Sequence, residues 1–242
     1  NESVKSYLNI PSILSAAELT NSDAIHPGYG FLAENAKFAS ICKENNIKFI
    51  GSDSETINLM GNKSLAKDTM KKVGVPTIPG SEGDVDTYEQ AQFLCRDIGY
   101  PVIIKATSGG GGKGMRLVND EVELEKAFKM AKIESEAAFS DSNVYIEKYL
   151  KNPRHIEIQI MCDNFGNIIP LGERECSLQR RHQKILEESP SSIMTDSLRE
   201  KLYESSIKGC KAVNYLGAGT IEYLVDDNYN HYFMEMNTRI QV

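Results

Sequence analysis

The chain has 242 residues, 40% hydrophobic and 25% charged, which lies in the ordinary globular range and supplies one large or two small cores. A formal charge of −7, from 27 basic and 34 acidic residues, argues against nucleic acid or an anionic membrane surface as the main partner. No stretch approaches the about 20 apolar residues of a membrane helix, and the opening NESVKSYLNI has neither the basic start nor the apolar run of a signal peptide, so a cytoplasmic protein is expected.

Asp23 to Ile25 reads as a short strand entering the turn His26-Pro27-Gly28-Tyr29-Gly30, followed by a helix over about 34–45 and a strand over 48–50. Asn62 is an N-cap for a helix closed by Gly74 and Pro76. Asp86-Thr87-Tyr88-Glu89 opens another, closed by Gly99. A buried strand over 101–106, a glycine loop over 109–114, a returning strand over 115–118 and a long helix over about 120–139 come next. The second half carries a strand at 144–146, a hairpin of 156–161 with 168–171, a helix over about 196–215 and a last hairpin of 220–225 with 231–237. Arg239-Ile240-Gln241-Val242 stops in an extended polar segment with no closing signal, so a boundary rather than a domain end is expected there. Cys42, Cys95, Cys162, Cys176 and Cys210 are too scattered for a zinc site or a disulfide framework. Free, mostly buried thiols are expected, Cys176 among them as a small packing residue.

Ser108-Gly109-Gly110-Gly111-Gly112-Lys113-Gly114 offers consecutive backbone N–H groups with no side chains in the way, as a phosphate chain requires. It satisfies G-x-G-x-x-G literally, but a dinucleotide fingerprint opens a helix and this loop runs into the strand MRLV. The P-loop pattern fails at Thr107, and a protein kinase places its lysine after the loop, whereas Lys105 precedes it. What remains is a flap able to close over a triphosphate while Lys105 reaches an inner phosphate.

In the last hairpin, a four-residue loop at 227–230 closing on Asp226 and His231 puts Glu222 opposite Glu235, with Leu224, Phe233, Asn237, Arg239 and Gln241 sharing the face of Glu235. Opposed like charges destabilise a sheet, and a divalent cation with oxygen ligands resolves the conflict. A solvated strand face with two unrelated glutamates is the alternative. Gln179-Arg180-Arg181-His182-Gln183-Lys184 concentrates cations in an acidic chain beside Glu173, Arg174 and Glu175, which suggests an anion site rather than a solvated surface. A small planar anion such as bicarbonate suits the fork of Arg239 and the ammonium of Lys184. Lys63, at a helix start, is either an ordinary exposed lysine or a phosphate ligand, and His155 is equally open.

The segments His26 to Asn35, 105–115, Glu147-Lys148-Tyr149-Leu150, Asn152 to Glu157, Gln179 to Lys184 and Glu235 to Val242 together resemble the biotin carboxylase family over essentially the whole chain. The resemblance is closest to the component of bacterial acetyl-CoA carboxylase, with propionyl-CoA and pyruvate carboxylase domains as the alternative. It implies an α/β (α+β) ATP-grasp fold with a glycine-loop lid over about 77–150 in an ATP-grasp domain at 61–242, after part of a Rossmann-like domain at 1–60. It implies that Lys63, Lys105, Gly111, Gly112, Glu147, Lys148, Tyr149, Leu150, His155, Gln179, His182 and Glu222 surround ATP. Glu222, Glu235 and Asn237 would hold one or two magnesium or manganese ions. Lys184, Arg239, Gln241 and Val242 would form the bicarbonate site, with Lys184 and Arg239 as catalytic groups.

The implied reaction is phosphoryl transfer from ATP to bicarbonate and then carboxyl transfer to biotin on a carboxyl carrier protein. A carboxyltransferase and a homodimer of the full-length chain are the implied partners, with no nucleic acid and no membrane. Family members usually begin with an additional glycine-rich βα unit and continue past Val242 to a glutamate base and a biotin-binding arginine. The chain is therefore expected to be cut at both ends and to bind ATP without full turnover. Other readings are a carbamoyl phosphate synthetase domain or a nucleotide-binding or subunit-interaction module.

Overall fold

A computed structural model describes residues 2–107, 114–180 and 183–241. In chain order the elements are α1 (Ile10–Leu19), β1 (Ala24–Ile25), α2 (Ala36–Glu44), β2 (Lys48–Phe49), α3 (Ser54–Gly61), α4 (Lys63–Lys72), α5 (Tyr88–Ile98), β3 (Val102–Ala106), β4 (Met115–Val118), α6 (Glu121–Phe139) and β5 (Val144–Lys148). They continue with β6 (Arg154–Cys162), β7 (Ile168–Glu175), β8 (Gln179–Arg180), β9 (Gln183–Lys184), α7 (Asp196–Ala212), β10 (Gly217–Val225) and β11 (His231–Asn237). Each α-helix starts on a side-chain oxygen that accepts the N3 backbone N–H: Asn9, Asn35, Asp53, Asn62, Thr87, Asp120 and Thr195. At Thr87 the reciprocal bond from Gln90 completes a capping box. Among the described residues no helix is long and apolar enough to cross a membrane.

The chain divides into two units. The first holds Asn1–Thr77, Arg154–Cys176 and Glu187–Val242, and the second holds Ile78–Pro153 and Ser177–Leu186. In the first unit, β1 and β2 pair in parallel, and Phe38, Cys42, Phe49 and Ile57 form the small core beside them. Its larger sheet has the order β11-β10-β6-β7 and is antiparallel throughout. Period-2 alternation gives that sheet two faces. Ile156, Ile158, Ile160, Ile221, Tyr223, Val225, Phe233 and Met236 turn to the core shared with Met70, Leu198 and Leu202 from α4 and α7. His155, Glu157, Gln159, Thr220, Glu222 and Asn237 fall on the opposite, polar face.

The last hairpin corrects two expectations. Its tip closes on Val225 and His231 rather than on Asp226 and His231. The Asp226 carboxylate accepts the N–H groups of Asn228 and Asn230, both at 2.9 Å, and the Asp226 N–H donates to the Asn230 carbonyl, which winds the turn one residue tighter. A β-bulge then leaves Met234 unmatched, so Tyr223 faces Phe233 while Glu222 still faces Glu235. Phe233 consequently lies in the core, not on the carboxylate face.

The second unit is a three-stranded sheet, β4-β3-β5, covered on one face by α5 and α6 through Val102, Ile104, Val118, Leu124, Phe128, Val144 and Ile146. The segment before α5 runs beside β5, with Ser81 N–H donating to Ile146 and Val85 N–H to Val144. Gly80 makes that approach possible, because a Cβ there would lie 2.6 Å from the Ile146 carbonyl oxygen. Gln179–Arg180 and Gln183–Lys184 form a short antiparallel pair in the same unit.

Candidate functional site

Strand register aligns four side chains in a row on the polar face of the first unit: Arg174 (β7), Glu157 (β6), Glu222 (β10) and Glu235 (β11). Three neighbouring carboxylates, with directly opposed Cβ atoms about 5 Å apart, need compensating charge. Arg174 Nε donates to Glu157, which is fully buried. Glu222, also buried, pairs through one oxygen with His155 Nε2 at 2.5 Å and accepts Asn237 Nδ2 on the other at 2.6 Å. Glu235 meets Lys63 Nζ at 3.0 Å. Asn62 fixes Lys63 as the first residue of α4 by accepting the Leu65 N–H at 3.0 Å. Glu222, Glu235 and Asn237 thus supply an all-oxygen donor set, two of them ionisable, of the kind hard divalent cations take. Beside the row, ligand atoms of Glu157, Cys176 and Glu187 lie within 4.8 Å of one another, with the Arg174 guanidinium 3.8 Å from Glu187.

Arg239 extends the constellation. Its Nε donates to Glu34 at 2.9 Å, Nη2 to Asn237 Oδ1 at 3.3 Å, and Nη1 to Gln241 Oε1 at 3.2 Å and to the Ile240 carbonyl at 3.1 Å. The Nε2 of Gln241 is buried without a hydrogen-bond partner among the described residues. A guanidinium edge held by long, exchangeable bonds beside an unsatisfied amide donor is suited to a small oxyanion.

In the second unit, Ile103, Lys105, Met115, Leu117, Tyr145 and Glu147 share the sheet face turned away from its core. Lys105 Nζ donates to Glu147 at 2.6 Å and sits 5.9 Å from the Tyr145 ring centroid. Burial and the charge of Glu147 push the Tyr145 phenol well above its usual range, so it stays neutral. Lys148 Nζ donates to the carbonyls of Gly99 and Tyr100 at the end of α5, both at 3.0 Å, where a cation meets the negative helix end. Its backbone N–H goes to Pro79, and that of Tyr149 to Pro101.

The structure therefore gathers Lys63, His155, Glu222, Glu235, Asn237, Arg239 and Gln241 in the first unit. Lys105, Glu147, Lys148, Tyr149, Leu150, Gln179 and Lys184 belong to the second. Gly111, Gly112, His182 and Val242 lie outside the described residues. All five cysteines are buried thiols outside any disulfide. Two acidic residues escaped the sequence reading as parts of the site. Glu157 could have been found from the alternation of β6, which places it in phase with His155. Glu34 offered no local signal, being 205 residues from its partner Arg239.

The chain belongs to the family of the carbamoyl-phosphate synthase L chain ATP-binding domain, whose model matches residues 62–242. Residues 1–57 match the biotin carboxylase N-terminal domain, and the fold is the α/β ATP-grasp fold of biotin carboxylase structures. The chain is similar to the biotin carboxylase of Nostoc sp., with 60% identity over 99% of this chain and 54% of that protein. It is similar to a Campylobacter jejuni biotin carboxylase solved as a β,γ-ATP complex, with a TM-score of 0.86 and 55% identity over 100% of this chain and 54% of that one. A third likeness is to the biotin carboxylase domain dimer of Hydrogenobacter thermophilus 2-oxoglutarate carboxylase, solved with MgADP, ADP and bicarbonate. Its TM-score is 0.82, with 47% identity over 98% of this chain and 52% of that one. The chain spans about half the length of the relatives it matches.

Proposed function

We propose that this chain carries the ATP and bicarbonate machinery of a biotin carboxylase, which phosphorylates bicarbonate with ATP and passes the carboxyl group to biotin on a carrier protein. The observation that carries the reading is the continuous polar chain His155, Glu222, Asn237, Arg239 on one sheet face, with an opposed second carboxylate at Glu235. The relatives named biotin carboxylase support it.

The residue 77–150 lid contributes Lys105 for an inner phosphate of ATP, its glycine loop with Gly111 and Gly112, and the apolar strand face near Glu147 to Leu150 for the adenine. Lys148 takes part through its main chain, because its ammonium is committed to the end of α5. Lys63, His155, Gln179 and His182 complete the nucleotide set. Glu222, Glu235 and Asn237 hold magnesium or manganese, which when bound offsets the negative charge of the phosphate oxygens. Lys63 and His155 already pair with the same carboxylates. Bicarbonate is assigned to Lys184, Arg239, Gln241 and Val242: the guanidinium supplies a planar fork, and the Gln241 amide a donor that has no hydrogen-bond partner among the described residues. These residues bind and orient two anions that would otherwise repel, and positioning of this kind contributes on the order of 7 to 11 kcal/mol. The acceptor we assign is the biotin of a carboxyl carrier serving an acetyl-CoA carboxyltransferase, with the full-length protein a homodimer in the cytoplasm.

The test is ADP release by the full-length protein in the presence of bicarbonate and free biotin. The parent is expected to turn over only when both are present, and Lys184→Ala and Arg239→Ala are expected to lose about 100-fold or more while still binding ATP. Unchanged turnover in both variants would overturn the residue assignment. ADP release indifferent to biotin would assign the chain to another bicarbonate-phosphorylating ligase of the same fold.

A further inference from the structure

We infer that Glu34, in the His26-Pro27-Gly28-Tyr29-Gly30 turn region, is a positioning residue for the bicarbonate site and acts through Arg239; the inference rests on the reaction proposed above. One carboxylate makes both contacts: Glu34 Oε1 accepts the Thr238 backbone N–H at 3.0 Å, and Oε2 accepts Arg239 Nε at 2.9 Å. The first bond fixes the main chain where it leaves β11. The second fixes the rotation of the guanidinium about its long stem. A guanidinium has five donors in a rigid plane, so occupying Nε determines which edge is left for a ligand. That edge is Nη1 and Nη2, whose partners Asn237 Oδ1, Gln241 Oε1 and the Ile240 carbonyl stand at 3.1–3.3 Å. These long bonds are the ones an entering planar anion replaces, while the shorter, charge-assisted bond to Glu34 persists.

Glu34 is itself rigidly mounted. Its neighbour Asn35 caps α2 by accepting the Phe38 N–H at 2.8 Å, and Leu32 and Ala33 are buried. The Ala33 N–H closes onto the Gly30 carbonyl, and the turn passes through positive φ at Gly28, Gly30 and Phe31. A left-handed backbone at the two glycines has no Cβ penalty, so the loop is wound tightly at low cost. The loop is thus a mounting for one carboxylate that reaches the far end of the chain.

The experiment uses the full-length protein and compares the parent with Glu34→Gln, Arg239→Lys and the double variant, measuring kcat and KM for bicarbonate and ATP together with thermal midpoints. Glu34→Gln keeps the shape and removes the charge. It is expected to raise the bicarbonate KM about tenfold, the consequence of losing one charge-assisted hydrogen bond, and to leave the ATP KM within about twofold. Adding Glu34→Gln to Arg239→Lys is expected to change little more, because the positioned group has already been replaced. A bicarbonate KM unchanged in Glu34→Gln overturns the inference, as does full additivity in the double variant. Equal rises in both KM values, or a Glu34→Gln protein that does not fold, would mark the carboxylate as a structural tie only and overturn it too. A parent without bicarbonate-dependent turnover would instead sink the proposed reaction and the inference with it, an outcome visible before any variant is measured.

Discussion

Among the described residues, Arg174 bonds to none of those assigned to ATP, metal or bicarbonate, and its loss tests how the carboxylate row is held. Its Nε serves Glu157, which is fully buried and stands beside Glu222 in register, while Nη2 donates to Gln159 at 3.1 Å and Thr220 at 3.4 Å. In Arg174→Met the apolar stem survives and the charge does not. Two unit charges about 5 Å apart, the spacing of directly opposed Cβ atoms, repel by about 3 kcal/mol at an effective dielectric of about 20, and stripping one partner from a buried pair costs about 3–5 kcal/mol. Arg174 is 24% exposed, so water replaces part of its effect, and the lower figure of about 3 kcal/mol applies. For a chain of this size that is a fall of about 6–12 °C in Tm by scanning calorimetry. Converting the buried acid to its neutral isostere in Arg174→Met/Glu157→Gln removes its repulsion with Glu222 and should recover at least half of the loss. A single variant within about 2 °C of the parent, or a double variant no more stable than the single, would refute the view that this cation neutralises the row.

Two further outcomes follow from local structure. His231 is buried, bonded to Ser205 Oγ at 2.7 Å, and held below the usual imidazole value of 6.5, first by burial and then by Lys201. Its folded pKa is depressed, so the unfolded chain takes the proton first. The stabilisation is complete above 6.5 and is lost as pH falls toward the folded pKa; urea titrations at pH 7.5 and 5 should show the parent weakening relative to His231→Gln, and a pH-independent difference would contradict this. Asn62→Ala removes the α4 cap and should cost about 1 kcal/mol in urea unfolding, whereas Asn62→Ser should be nearly neutral; equal losses in both would mean the cap is not what holds Lys63 at the helix start.

Much of the fold was legible because its punctuation is local. Asn62, Thr87 and Gly99 mark helix ends by their own chemistry, and the alternation of Ile156, Ile158 and Ile160 declares a strand with one buried face. The facing pair Glu222 and Glu235 was also anticipated, though through two departures that cancel: a tighter turn at Asp226 and an extra residue at Met234. Phe233 shows the limit of counting by twos, since a bulge is a property of two strands and the twist between them. The partners inside the site were less accessible. His155 with Glu222 and Lys63 with Glu235 join separate elements, and nothing near Glu34 announces Arg239. Contacts across such separations are decided by packing rather than by neighbouring residues.

The bulge at Met234 also separates two jobs that a hairpin ordinarily performs with one register. On the turn side of it, Val225, Leu224 and Tyr223 count from the tip, and on the far side Glu222 and Thr220 count from the carboxylates. One surplus residue works as a slip joint between a surface loop and a pair of functional acids. Drift in the length or winding of the tip can be absorbed at that joint, leaving the acids face to face. The molecule thereby gains freedom to alter its periphery while the spacing its chemistry depends on is kept.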